Sequence, residues 1–209
     1  MPRRVDHDER RRQITDACRR VVARDGLEAA TFQAVAGEAG VSVRLVQYYF
    51  GHKRGLLVAT HRAVIEGSAG RFGGGLPEGG GEPPPRAVLS AVLAALLPLD
   101  DARRADAVVL AAFHAAALTN EAIEPEELRG APRALVDLVA AQVLRARGGE
   151  PDDRRERAAR TDAEVVLASA AGLTQGMLAG HLTGDVALAV VDRLLDHVVG
   201  MPGGVSGTS

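Results

Sequence analysis

Residues 31–53, TFQAVAGEAGVSVRLVQYYFGHK, decide the fold. Phe32, Val35, Ala36 and Ala39 recur at helical spacing and predict a short helix over 32–39. Gly40 stands where the chain has to turn, because glycine enters the left-handed region without a steric penalty. Ser42 then offers a hydroxyl oxygen as N-cap for a second helix over about 43–49. Small Ala36 lets the two helices approach, and Val46 fills the angle between them. This order of small residue, glycine turn and aliphatic plug is that of a helix-turn-helix.

Working outward, a helix is expected over 8–25, with Ile14, Ala17, Cys18, Val21 and Val22 as its apolar stripe and Gly26 as its stop. Residues 1–7 read as a disordered arm. Arg10, Arg11 and Arg12 fit either a solvated face or a nucleic-acid contact. After the motif a connecting helix is expected from Arg54 to about Gly67. A glycine- and proline-rich linker is expected over 67–85, with neither the preceding strand nor the Gly-Lys-Ser/Thr of a phosphate loop.

Five further helices are expected over 86–97, 101–119, 126–147 (interrupted or bent near Pro132), 153–181 and 185–199, before a disordered tail over 201–209. The fold class is therefore all-α. An N-terminal three-helix DNA-binding domain over 8–66 joins a larger C-terminal helical domain over 86–200. Hydrophobic residues make up 46% of the chain and aromatic ones 3%, a balance that favours helix over sheet.

Charge divides the chain unevenly. Residues 1–62 carry 12 Lys and Arg against 7 Asp and Glu, whereas 63–209 carry 13 against 20. A basic head on an acidic body suits a head that meets phosphates. Lys53 is the only lysine beside 24 arginines, and it opens a helix whose N-terminus itself favours an anion. The single cysteine, Cys18, excludes an internal disulfide and fits a reducing cytoplasm. Neither a membrane span nor a signal peptide is expected.

In a helix-turn-helix the second helix enters the major groove, so Val43, Arg44, Gln47 and Tyr48 are the candidate base-facing residues, with Ser42 at the helix start. Arg44 suits the O6 and N7 of guanine, and Gln47 the N6 and N7 of adenine. No His-Glu-x-x-His, Gly-x-Ser-x-Gly or paired cysteines occur, so no catalytic residue, metal or cofactor is assigned. Polar residues inside apolar helices are the candidates for a small-molecule site: His114, Thr119, Thr174, Gln175 and His181, with Phe113 and Met177 beside them.

The stretch closely resembles the N-terminal domain of the TetR family of transcriptional repressors. The likeness rests on Gly26-Leu27, Thr31, Val35-Ala36, Ala39-Gly40-Val41-Ser42, Tyr49-Phe50, Lys53 and Leu56-Leu57, and is dense over 8–65. It implies phosphate contacts for Thr31, Tyr48 and Tyr49, and a core-facing Phe50. It further implies a homodimer through the last two helices on a palindromic double-stranded operator, with a small-molecule effector in the body. Many members carry tyrosine where Gln47 stands, which points to an altered operator preference. The competing reading is a helical interaction module whose helix-turn-helix is purely structural; it predicts no DNA binding even at low salt.

Overall fold

The computed structural model describes residues 2–74, 82–119, 125–150 and 152–200. Among them lie nine helices and no strand: α1 (Pro2–Asp25), α2 (Phe32–Ala39), α3 (Val43–Phe50), α4 (Lys53–Gly74), α5 (Pro85–Leu96), α6 (Asp101–Thr119), α7 (Pro125–Arg147), α8 (Asp153–Leu178) and α9 (Gly184–Val199). They form two compact units, Met1–Ala69 with Asp100–Arg129, and Gly70–Leu99 with Gly130–Ser209.

The first unit is built on α1. Ile14, Ala17, Cys18, Val21 and Val22 are buried along one face and pack with Val35, Ala36 and Ala39 of α2 and Val46 and Phe50 of α3. Gly40 has φ of 66°, and the Val41 amide returns to the Ala36 carbonyl at 3.0 Å, closing α2 in the left-handed turn expected there. α1 also holds the motif from outside. Gln13 Nε2 donates to the Ala39 carbonyl at 2.8 Å, and Arg11 Nη1 donates to the Tyr49 carbonyl at 3.2 Å.

Three boundaries differ from expectation. The disordered arm over 1–7 is not found in the described residues: α1 begins at Pro2, and proline suits a first helical position because its missing N–H would have no helical partner. The linker over 67–85 is shorter than predicted. α4 runs on to Gly74 and α5 starts at Pro85; of the stretch between them 75–81 lies outside the described residues, as does the tail over 201–209. α7 passes through Pro132 without interruption.

α6 lies within the stretch 86–200 expected as the C-terminal domain, yet its packing partners are those of the head. It belongs to the first unit. Val109 and Phe113 are buried in the core formed by α1 to α4, and Arg19 Nη1 reaches Asp106 Oδ1 at 3.0 Å. The His61 ring of α4 meets the Phe113 ring edge-on, with centroids 5.2 Å apart.

Burial, and secondarily the charge of His114, hold the His61 imidazole below its ordinary value of 6.5. The folded chain therefore resists a proton that the unfolded chain accepts. This contribution to stability is full above about pH 6.5 and is lost as the pH falls toward the lowered folded value. Urea midpoints are expected to fall between about pH 7.5 and about pH 5, and His61→Leu to flatten part of that fall. An unchanged pH dependence in the variant would assign the loss to other groups.

The second unit consists of α5, α7, α8 and α9 around an aliphatic core. Leu89, Leu93, Leu97, Val139, Val143, Val166 and Leu195 are among its most buried members. Two arginines brace the C-terminal end of α9. Arg86 Nη2 approaches Asp196 Oδ1 at 2.8 Å, and Arg147 donates to the Val198 carbonyl while reaching Asp162 Oδ2 at 2.7 Å.

Candidate nucleic-acid interface

α3 is two turns long, and its position in the head follows from its two ends. The Ser42 hydroxyl accepts from the Leu45 amide at 3.2 Å, and the Gly51 amide returns to the Gln47 carbonyl at 2.8 Å. Val46 and Phe50 are buried on one side, as expected of the plug and of the core-facing aromatic. The opposite side is left to solvent: Val43, Arg44, Gln47 and Tyr48 are all exposed, Tyr48 at 76%. At 100° per residue these four span one continuous face. Among the described residues nothing hydrogen-bonds the side chains of Arg44 or Gln47, so both keep their full donor capacity.

Thr31 and Ser42 play matching parts. Each caps the helix that follows it, Thr31 by accepting from the Ala34 amide at 3.1 Å. A capping hydroxyl uses an oxygen lone pair, which leaves its O–H proton free to donate outward. Tyr49 is half-buried between rings, 4.5 Å from His7 and 5.5 Å from Tyr48, so its ring is fixed while that of Tyr48 projects.

Lys53 is neither isolated nor aimed freely outward. Its Nζ donates to the Glu28 carbonyl at 3.1 Å and lies 3.4 Å from Glu28 Oε2, joining the start of α4 to the α1–α2 turn. Both side chains remain accessible, so the pair is weak and an anion can compete for the ammonium. His52, which sequence reasoning passed over, caps α4 by accepting the Gly55 amide at Nδ1, 2.9 Å away. Gly55 is required there, because a Cβ at this position would run into the Phe50 carbonyl oxygen.

The candidate small-molecule residues are divided between the two units. Phe113 is buried in the core of the first unit and His114 is exposed on it. The side chain of Thr119 lies outside the described residues. In the second unit Thr174 is partly buried and donates to the Leu96 carbonyl at 3.2 Å, Met177 packs in the core, and Gln175 and His181 are exposed. Among the described residues no group of His, Cys, Asp and Glu could hold a metal ion, and no helix is long and apolar enough to cross a membrane.

A two-turn helix capped at both ends, buried on one side and presenting Arg44, Gln47 and Tyr48 on the other, defines a helix-turn-helix protein of the nucleic-acid-reading class. Residues 14–60 match the family described as bacterial regulatory proteins, tetR family, and residues 85–200 match the BetI-type transcriptional repressor C-terminal family. The chain belongs to the TetR family of transcriptional regulators.

Over about a third of its length the chain is similar to two curated regulators. PksA of Bacillus subtilis is 38% identical over 66 residues, 32% of each chain. BetI of Paraburkholderia phytofirmans is 42% identical over 65 residues, 31% of this chain and 33% of that one. The match thus spans about a third of each relative's length. A transcriptional regulator from Rhodococcus sp. Rha1 is similar across nearly the whole chain, at TM-score 0.77 and 26% identity, covering 92% of this chain and 99% of that one.

Proposed function

We propose that this chain is a ligand-responsive, dimeric DNA-binding regulator, a repressor released from a palindromic operator by a small molecule. The observation that carries the reading is the exposed face of α3, where Val43, Arg44, Gln47 and Tyr48 stand together and, among the described residues, nothing hydrogen-bonds the side chains of Arg44 and Gln47. Arg44 and Gln47 read base edges. Thr31, Ser42, Tyr48, Tyr49 and Lys53 hold the phosphates, with Lys53 exchanging Glu28 for a phosphate oxygen.

Dimerisation is assigned to α8 and α9. Val165, Val186 and Val190 are 49%, 46% and 42% exposed, an apolar surface that a second copy would cover. Gly172 of α8 has open space where a Cβ would stand, whereas Gly176 is closed in by Leu182 of its own chain. Of the two, Gly172 is the one available to a partner helix. The effector acts from the body by shifting the population between DNA-competent and incompetent states, with repression as the resting condition and the cytoplasm as the site of action.

Two measurements test the reading. Equilibrium sedimentation is expected to give a dimer that Val186→Glu with Val190→Glu converts to monomer. Binding to DNA from the intergenic region upstream of its own gene is expected to weaken steeply with salt. A monomeric wild-type chain that ignores DNA at low salt would leave the interaction-module reading in its place.

A further inference from the structure

The head contains a groove that neither DNA reading nor the effector mechanism uses. It lies between α1 and α4 and has a volume of about 520 Å³, within the range of small-molecule sites. Its floor is small and apolar: Val58, Ala59 and Ala63 of α4 are half-buried and leave the space open. From Gly55 to Glu66 at the helical rise, the groove runs for roughly 16 Å. Its rim carries four guanidinium groups, Arg11 and Arg12 from α1 and Arg54 and Arg62 from α4, against two carboxylates, Asp8 and Glu66.

We propose that this α1–α4 groove binds an elongated organic anion, a phosphate or carboxylate head carried on an aliphatic tail. Arg12 is already held by Glu9, but the rim keeps a net positive charge even with that carboxylate, Asp8 and Glu66 all ionised, and guanidinium groups match phosphate and carboxylate in planar, two-pronged geometry. Arg62 is exposed and no described residue pairs with it, so it meets the anion without giving up an internal contact. The aliphatic floor takes the tail, which a purely inorganic anion lacks. Arg11 ties the site to α3: it bonds the Tyr49 carbonyl, and its guanidinium carbon lies 4.8 Å from the centroid of the Phe50 ring. An anion that recruits Arg11 loosens the end of the recognition helix.

Titration calorimetry of the full chain with octyl phosphate, inorganic phosphate and octanol, at constant ionic strength, tests the site. Octyl phosphate is expected to bind once per chain, at least tenfold tighter than inorganic phosphate or octanol. Arg62→Glu and Ala59→Trp are each expected to weaken it at least tenfold, with thermal melting as the check on folding. Arg62 is exposed, so its variant carries the test should the tryptophan disturb the head. Absence of octyl phosphate binding to the wild type overturns the proposal, as does equal binding to both variants. So does an Arg62→Glu chain that loses affinity for random-sequence DNA while keeping octyl phosphate, because the groove would then be a DNA-backbone contact.

Discussion

Phe113→Ala is expected to destabilise the DNA-binding unit by about 3–5 kcal/mol, the range for emptying a buried aromatic site. Among the described residues Phe113 is the largest of the fully buried side chains, and it lies in the core shared by α1, α2, α3, α4 and α6. Its loss removes the edge contact with His61 and leaves a hole in that core. Leu195→Ala, in the separate core of the second unit, is the matched control, with an expected cost of about 2–5 kcal/mol. Urea unfolding followed through the two intrinsic tyrosines, Tyr48 and Tyr49, reports the head alone, since the sequence has no other tyrosine and no tryptophan. Phe113→Ala should shift this transition far more than Leu195→Ala does. Equal shifts would mean that the two units unfold together or that α6 does not stabilise the head.

Arg44→Ala and Lys53→Ala are expected to fail in different ways. A two-pronged arginine–guanine contact contributes about 1–3 kcal/mol of discrimination, so Arg44→Ala should flatten preference at one base position of each half-site. Lys53→Ala should weaken all sequences by a common factor and lower the salt slope by about one unit for each lysine removed. The Glu28 contact refines the second expectation. Because the ammonium already has a carboxylate beside it, Glu28→Gln should raise affinity for every sequence, by removing a competitor for the same donor. Selection from randomised DNA, followed by binding at several salt concentrations, measures all three. Identical sequence profiles for the Arg44 and Lys53 variants would undo the division between base reading and phosphate holding.

The helix-turn-helix was readable residue by residue because its determinants are local. Thr31 and Ser42 bond amides three positions on, Gly40 turns within its own helix end, and Val46 and Phe50 fall on the buried side of one short helix. What escaped the sequence depends on distant partners. The stripe through Val109 and Phe113 announces a buried face for α6, yet nothing in its spacing says which core receives it. Lys53 stands out by composition, but the Glu28 that engages it is 25 positions away. The exposure of Gln175 has a related reason. Gln175 was marked because it lies among apolar neighbours, and α8 has apolar residues on its outer side too, such as Val165. A helix segment with apolar residues on both sides does not reveal which of its polar residues points inward.

Cys18 gives the head a built-in clock. It is the only thiol in the chain, has no accessible surface, and stands in the same core as Phe113; burial also pushes its thiol above the ordinary range. A thiol reagent can therefore reach it only when α1 parts from its neighbours. At low reagent concentration the labelling rate measures the free energy of that opening, and at high concentration its speed. Operator DNA that clamps the head should slow the clock. An effector that acts by loosening the head would quicken it, whereas one that merely re-spaces two intact heads would leave it running at the same rate.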